Sequence, residues 1–157
     1  FQWILRKGTE LGVTTFVPMI CQRSIPQEKE RWHSVRYRRW RRIVTEAAEQ
    51  SGRCILPDLQ EPLRFREAVQ GINSSDISII LWPQESSTGL RSVLRGLSTQ
   101  NVSIFIGPEG GFTDEEVAWA VSKGITPVTL GRRILRAETA GIATVAAILY
   151  ELGELGG

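Results

Sequence analysis

Two segments near the C-terminal end hold residues whose types and spacing suit chemistry. Residues 104–113 include the sequence Gly-Pro-Glu-Gly-Gly at positions 107–111, and glycines allow positive φ and close approach of a ligand to the backbone. Residues 130–140 combine Arg132, Arg133, Arg136 and Glu138 with apolar neighbours. The apolar neighbours predict burial, and buried arginine requires a carboxylate or phosphate partner. Both segments are therefore candidates for a ligand site.

The elements that must position these segments follow from alternating apolar and amphipathic runs. The predicted strands cover residues 14–20, 54–56, 77–82, 102–106 and 127–130. The predicted helices cover residues 1–10, 30–51, 63–70, 90–97, 113–123 and 139–152. Continuous apolar strands separated by helices predict an α/β fold with one parallel sheet covered by helices on both faces. Because such sheets bind ligands at the carboxyl ends of their strands, we expect the two segments to meet in one site.

The glycine-rich loop at 107–111 fits two interpretations. No Gly-Lys-Ser/Thr follows it, as a Walker loop would require, and the spacing of a dinucleotide fingerprint is absent. It can hold a ligand through backbone amides and carbonyls, or it can be a tight turn between a strand and a helix. The helix that follows the second segment is small and apolar on all sides at residues 139–147, which predicts close packing by its own domain or by a second subunit.

A basic helix is predicted at residues 30–51. Between residues 31 and 42 it carries six arginines and no lysine. Helical spacing places an apolar stripe on the core side, made of Trp40, Ile43, Val44, Ala47 and Ala48. Arg38, Arg41 and Arg42 point away from that stripe. They form either a phosphate-binding face or a solvated face with local Arg–Glu pairs.

Composition limits the class of protein. The 157 residues suit one domain, and 41% hydrophobic with 23% charged residues predicts a packed core. The net charge of +2 says little about partners. One histidine and two cysteines without metal-ligand spacing predict no metal site and a reducing, cytoplasmic compartment. We expect no membrane span and no signal peptide. A first residue other than Met, followed at once by a helical pattern, suggests a fragment, with a processed N-terminus as the alternative.

Several motifs together closely resemble the RsmE family of ribosomal RNA uridine N3-methyltransferases, in the SPOUT superfamily. They are the segments 107–113 and 130–140, Lys-Gly-Thr-Glu-Leu-Gly-Val at 7–13, and Glu-Ala-Ala-Glu-Gln-Ser-Gly-Arg at 46–53. The resemblance implies that residues 1–157 form one SPOUT methyltransferase domain, the C-terminal catalytic domain of the family, with a trefoil knot at its C-terminal end. Family members also carry an N-terminal β-barrel similar to PUA domains, and this sequence starts just after the point where such a barrel would end.

The resemblance also implies S-adenosylmethionine as the cofactor and a homodimer as the assembly. Three loops would hold the cofactor. The implied cofactor residues are Leu81, Trp82 and Pro83 in the first loop, Gly107, Pro108, Glu109 and Gly110 in the second, and Leu130, Gly131, Ile134, Leu135 and Ala140 in the third.

Two side chains are candidates for the chemistry. Methylation of uridine at N3 requires removal of a weakly acidic ring proton, which leaves an anion. We expect Arg136 to stabilise that anion or orient the base, and Glu138 to be the general base or to orient Arg136. The alternative for both residues is a structural ion pair.

The implied partner is a uridine of small-subunit ribosomal RNA within the assembled subunit. Candidate RNA-binding residues are Arg23, Arg38, Arg41, Arg42 and Arg53. Two alternatives remain open: a SPOUT methyltransferase for another base or a ribose 2′-hydroxyl, and a non-enzymatic RNA-binding module. A nucleotide-binding hydrolase is disfavoured because the sequence lacks metal-ligand and phosphate-binding motifs.

Overall fold

A computed structural model describes residues 1–25, 35–72, 77–84, 88–95 and 101–156. The helices are α1 Gln2–Glu10, α2 Val35–Gln50, α3 Phe65–Gln70, α4 Leu90–Leu94, α5 Asp114–Ser122 and α6 Ala137–Glu151. The strands are β1 Thr15–Phe16, β2 Met19–Ile20, β3 Asp58–Leu59, β4 Leu63–Arg64, β5 Ile77–Leu81, β6 Val102–Phe105 and β7 Thr126–Val128. None of the described helices has both the length and the apolar character needed to cross a bilayer.

All strand pairs in the described part of the chain are parallel, as the alternation of strands and helices predicts. The largest sheet has the order β6-β5-β7, and two smaller sheets pair β1 with β3 and β2 with β4. The expectation of one continuous sheet is therefore wrong for the described residues. The central strand β5 lies between β6 and β7, which come later in the chain. Because all three strands are parallel, their carboxyl ends share one edge of the sheet.

Prolines explain two differences from the predicted strands. The run at 14–20 divides at Pro18, which has no amide hydrogen to donate. Before it, β1 pairs with β3, and after it β2 pairs with β4. The strand predicted at 54–56 is also misplaced, because those residues are exposed and strand pairing begins only after Pro57, at Asp58. Residues 63–64 pair as a strand, so α3 begins two residues later than predicted.

The central strand β5 is buried on both faces. Ile80 packs with Phe65, Val69 and Phe112 in the cluster under α3 and α5. The next position, Leu81, joins the cluster under α4 and α6. Helices on both faces of the sheet are thus confirmed for β5, and continuous apolar character is the physical reason that it is buried.

The apolar stripe predicted for α2 is confirmed. The buried residues of this helix are Trp40, Ile43, Val44, Ala47 and Ala48. Trp40, Ile43 and Val44 pack with α1 and with Phe16 and Leu59 in a separate cluster. The predicted start of this helix, residues 30–34, lies outside the described residues. The described arginines of α2 at positions 36, 38, 39, 41 and 42 are exposed.

The capping box predicted for α5 is also confirmed. The amide of Glu116 donates to Thr113 Oγ1 at 3.2 Å, and the amide of Thr113 donates to Glu116 Oε2 at 2.9 Å. The second carboxylate oxygen of Glu116 accepts a hydrogen bond from the amide of Gln22 at 2.8 Å. One glutamate thus satisfies the N-terminus of α5 and fixes the turn that follows β2.

Candidate functional site

Three loops meet at the carboxyl edge of the β6-β5-β7 sheet. They follow β5 at 82–84, β6 at 106–113 and β7 at 129–136. The first and third are joined by backbone hydrogen bonds, because the amide of Trp82 donates to Val128 O at 2.9 Å. The amide of Leu90 donates to Thr129 O at 3.1 Å, and the amide of Thr129 donates to Thr88 O at 2.9 Å. The chain leaving β7 therefore lies against the chain leaving β5.

The third loop lines an open cavity of about 430 Å³. It is lined by Leu130, Gly131, Arg132, Arg133 and Leu135. Thr129 shapes the entry to this loop, since its Oγ1 accepts a hydrogen bond from the amide of Gly131 at 3.2 Å. Gly131 adopts φ 107°, which favours glycine. The family resemblance implies three of the lining residues, Leu130, Gly131 and Leu135, as cofactor residues, and it does not include the arginines of this loop among them.

The burial expected for the third loop is wrong for several of its residues. Ile134 is 84% exposed, and Arg132, Arg133 and Arg136 are also exposed. The loop runs over the surface at the edge of the sheet. Its arginines therefore keep their hydration and do not require an internal anionic partner. Only Leu130 and Leu135 turn partly inward, against the cluster under α4 and α6.

The second loop is a tight turn with an exposed crest. The amide of Gly111 donates to Pro108 O at 2.8 Å, and Gly111 adopts φ 69°. At Gly107 a Cβ atom would stand 3.2 Å from the amide nitrogen of Phe112, so a larger residue would crowd the turn. The tight-turn interpretation is confirmed. It does not compete with ligand binding, because residues 107–109 also line a groove.

That groove is open, has a volume of about 1550 Å³, and runs between α1, β6 and the length of α6. Glu138 lines it together with Gly107, Pro108 and Glu109. The basic helix borders the same groove through Arg36 and Arg39. The groove and the smaller cavity share no lining residue. The second loop and Glu138 therefore border the same groove, and the residues of the third loop line a separate space.

The remaining residues expected to bind the cofactor differ in exposure. Leu81 and Ala140 are buried in the cluster under α4 and α6, and Trp82 is half-buried. Pro83 and Gly110 are exposed, and neither they nor the two buried residues line either space. Leu81 and Ala140 support the loops from beneath.

Arg136 and Glu138 lie at the start of α6. Arg136 is the N-cap residue, and its carbonyl oxygen accepts a hydrogen bond from the amide of Ala140 at 2.8 Å. Glu138 is half-buried in the first turn, where a carboxylate is stabilised by the helix dipole. Within the described part of the chain, neither side chain has a hydrogen-bond or ion-pair partner, so the alternative of a mutual ion pair is not realised there.

Two of the arginines expected to bind RNA hold backbone carbonyls. Arg53 Nη1 donates to Thr9 O at 3.0 Å and to Val13 O at 2.7 Å, which fixes the C-terminal end of α1. Arg23 Nη1 donates to Gly110 O at 2.9 Å and to Phe112 O at 3.2 Å. Sequence analysis missed both contacts, because no local pattern relates residues 44 or 87 positions apart.

The other three, Arg38, Arg41 and Arg42, lie on the exposed face of α2. Arg42 Nε donates to Glu46 Oε1 at 2.6 Å, and this hydrogen bond together with the charge of Glu46 raises the pKa of Arg42 above its ordinary value. Local Arg–Glu pairing, one of the two predicted alternatives, is therefore present at one position. A solvated pair of this kind contributes little stability and can be exchanged for a phosphate contact.

The described residues hold no group of three or more His, Cys, Asp or Glu side chains arranged for a metal ion. His33 lies outside the described residues. Both cysteines are free, with Cys54 exposed and Cys21 buried. Burial and the charge of Glu116 raise the pKa of Cys21 to about 12. The hydrogen bond with the Ser24 hydroxyl opposes them in part.

Comparisons with known proteins give a consistent result. A family model described as "RNA methyltransferase domain" matches residues 1–149. Ribosomal RNA small subunit methyltransferase E of Synechocystis is 38% identical over 150 residues, which are 94% of this chain and 48% of that protein. The chain thus spans about half the length of this relative.

Solved structures give the same match. A ribosomal RNA small subunit methyltransferase E from Neisseria gonorrhoeae, bound to S-adenosyl methionine, superposes with a TM-score of 0.81 and 34% identity, covering 95% of this chain and 60% of that one. A methyltransferase from Legionella pneumophila in complex with its cofactor SAM has a TM-score of 0.84 and 31% identity, with coverage of 95% and 60%.

Proposed function

Because the chain belongs to the RNA methyltransferase domain family, we propose that it transfers a methyl group from S-adenosylmethionine to small-subunit ribosomal RNA. The observation that carries this proposal is the convergence of three loops at one edge of a parallel sheet, next to the side chains of Arg136 and Glu138. The two similar structures with bound S-adenosylmethionine support this molecule as the methyl donor.

The residues of the three loops fit this cofactor. The 430 Å³ cavity lies in the size range of small-molecule sites, about 300–1,000 Å³. Leu130 and Leu135 offer apolar walls to an adenosine, and Arg132 and Arg133 offer guanidinium groups to a carboxylate. In the second loop, the backbone of residues 107–109 borders the groove and is accessible to a ligand. Bound S-adenosylmethionine supplies an electrophilic methyl group on a sulfonium centre.

For the acceptor we propose N3 of a uridine, as the resemblance to the RsmE family implies. Glu138 accepts the ring proton from N3. Its position on the open groove gives the uracil ring access to its carboxylate. Arg136 stabilises the negative charge that develops over N3 and the adjacent carbonyl oxygens. Its place at the N-terminus of α6 adds the positive end of the helix dipole to the guanidinium. Holding base and methyl donor together supplies further acceleration.

RNA binding is proposed for the exposed face of α2. Arg38, Arg41 and Arg42 present guanidinium groups that pair with phosphates. Arg23 and Arg53 hold carbonyl oxygens of the fold, whereas the Arg42–Glu46 pair is a solvated surface pair that a phosphate can replace, so the proposal rests on the exposed face of the helix.

We also propose the knot and the homodimer that the resemblance implies. Val128 and Thr129 form backbone hydrogen bonds with residues 82, 88 and 90. This close packing of the chain after β7 against the chain after β5 supports the proposed knot, since a trefoil knot requires such a passage. The groove along α6, with Gly141, Ile142 and Val145 on its wall, supports a second copy that covers this helix.

Calorimetric titration with S-adenosylmethionine tests the function most directly. We expect saturable binding at one site per chain, and a flat titration at millimolar cofactor would contradict the proposal. Salt-dependent RNA binding without cofactor binding would identify an RNA-binding module instead. Mass spectrometry of nucleosides after reaction with small ribosomal subunits then identifies the methylated atom, and a product other than N3-methyluridine would contradict the finer assignment.

A further inference from the structure

Arg23 connects the turn after β2 to the glycine-rich second loop. Its Nη1 atom donates to the carbonyl oxygens of Gly110 at 2.9 Å and Phe112 at 3.2 Å. The stem of the side chain packs on the same loop. A Cβ atom on residue 110 would lie 3.0 Å from Arg23 Cβ and 3.4 Å from its Cδ. A glycine at position 110 therefore allows this close packing, and the Arg23 side chain extends along the loop from Gly110 to Phe112.

A second connection holds the far end of the loop to the same turn. The backbone amide of Gln22, the residue before Arg23, donates to Glu116 Oε1 at 2.8 Å. Glu116 Oε2 accepts a hydrogen bond from the backbone amide of Thr113. Phe112 is itself anchored in the core at 1% exposure. The loop is thus fixed at residues 110, 112 and 113. The part that remains open is 107–109, which lines the groove with Glu138.

We propose that Arg23 is a positioning residue for S-adenosylmethionine, and this inference rests on the proposed function. By holding the carbonyl oxygens of Gly110 and Phe112, its guanidinium fixes the end of the loop that supports residues 107–109, whose backbone faces the groove and the cofactor. A loop that is ordered before binding avoids the conformational entropy cost of ordering on binding. Arg23 acts through the loop, so its loss weakens cofactor binding without removing a direct cofactor contact.

The test compares cofactor affinity among variants of the purified protein by calorimetry. We expect Arg23→Ala to raise the Kd for S-adenosylmethionine about tenfold. Arg23→Lys should fall between Ala and wild type, because an ammonium can reach a carbonyl but lacks the planar fork of arginine. Arg53→Ala is the matched control. It removes an equivalent pair of Nη1–carbonyl contacts at α1, and it should lower the Tm while the Kd for cofactor stays unchanged.

The outcomes separate this inference from the function on which it rests. Absence of binding by the wild-type protein contradicts the proposed function. Normal binding by wild type and an unchanged Kd for Arg23→Ala contradict only the positioning role. Equal rises in Kd for Arg23→Ala and Arg53→Ala would also overturn it, since they would indicate general destabilisation. An unchanged cofactor Kd with a weaker salt dependence of RNA binding would make Arg23 an RNA contact instead.

Discussion

Gly141 in α6 lies so close to Ile106 at the end of β6 that a Cβ atom on residue 141 would stand 2.6 Å from Ile106 Cδ1. The contact joins the helix that begins at Arg136 to the strand that leads into the Gly107 loop. Two separate parts of the proposed site are therefore held in register by a glycine inside a helix. Glycine has a poor helix propensity, so its presence at this position is explained by packing.

Gly141→Ala should destabilise the fold slightly, by less than about 1 kcal/mol. The added methyl group must displace Ile106 Cδ1, the end of a flexible and half-buried side chain, so the steric cost lies at the low end of overpacking, and the higher helix propensity of alanine offsets part of it. Urea denaturation followed by circular dichroism measures the change in the free energy of unfolding.

The double variant Gly141→Ala/Ile106→Val provides the control, because valine lacks the Cδ1 atom that the new methyl group meets. In the Ile106→Val background, Gly141→Ala should be neutral or stabilising by up to ~1 kcal/mol from helix propensity. Equal destabilisation in both backgrounds would show that the steric explanation is wrong.

Replacing the two proposed catalytic residues should slow methyl transfer without preventing cofactor binding. We expect Glu138→Gln to reduce the single-turnover rate about 10²–10⁴-fold, the usual contribution of a general base. Arg136→Ala should reduce it about 10²–10³-fold, as expected for loss of a group that stabilises an anion. Rapid-quench assays with saturating cofactor and small ribosomal subunits measure both rates.

Glu151→Gln, at the exposed opposite end of α6, is the control for loss of one carboxylate from the same helix. Its rate should match that of wild type. Near-normal rates for Glu138→Gln, with the cofactor Kd intact, would assign that residue a structural role.

RNA affinity should depend on salt through the exposed face of α2. Replacing Arg38, Arg41 and Arg42 with Gln removes three potential partners for phosphates. The slope of log K against log salt should then become shallower by about 0.7 for each phosphate that is no longer neutralised on single-stranded RNA. Fluorescence anisotropy at several salt concentrations measures the slope. Arg91→Gln on the exposed face of α4 serves as a control, and an equal effect there would point to nonspecific attraction.

The two cysteines should react with thiol reagents at very different rates. Burial raises the pKa of Cys21 to about 12, whereas Cys54 is exposed. At pH 8 only Cys54 should be labelled in the folded protein, and urea should make both reactive. Mass spectrometry after iodoacetamide treatment reports the sites. Fast labelling of Cys21 in the folded protein would contradict its burial.

The same thiol links stability to pH. In the unfolded chain Cys21 loses its proton near the ordinary cysteine pKa of 9.0, whereas the folded protein keeps that proton until about pH 12. Stability from this group is therefore complete below pH 9 and is lost as pH rises toward 12. The loss should be smaller in Cys21→Ala.

Local signals in the sequence predicted several elements correctly. The spacing of Trp40 and Ile43 predicts the buried stripe of α2, because a helical period places such residues on one side. The Thr113–Glu116 pair predicts the start of α5, since a capping box acts within one turn. The family inferred from four short motifs is confirmed by the RNA methyltransferase family match over residues 1–149.

Other features depend on contacts between distant parts of the chain. The chain changes strand partner at Pro18, from β3 before it to β4 after it. Which distant segment pairs with each strand depends on tertiary packing, and a single sequence does not contain that information. Arg23 reaches Gly110 and Arg53 reaches Thr9 across such distances, and sequence reasoning treated both arginines as surface cations.

The sequence by itself thus determined which faces of the helices are buried, because these follow from helical periodicity. It also determined where α5 begins, because a capping box forms hydrogen bonds within a few residues, and which residue types the loops contain. Only the tertiary structure decided which loops share a space. It placed residues 107–109 and Glu138 along one groove, and Arg132 and Arg133 along a separate cavity. The physical reason is that parallel strands bring together loops distant in sequence, while the packing of Gly141 on Ile106 and the reach of Arg23 fix how they meet.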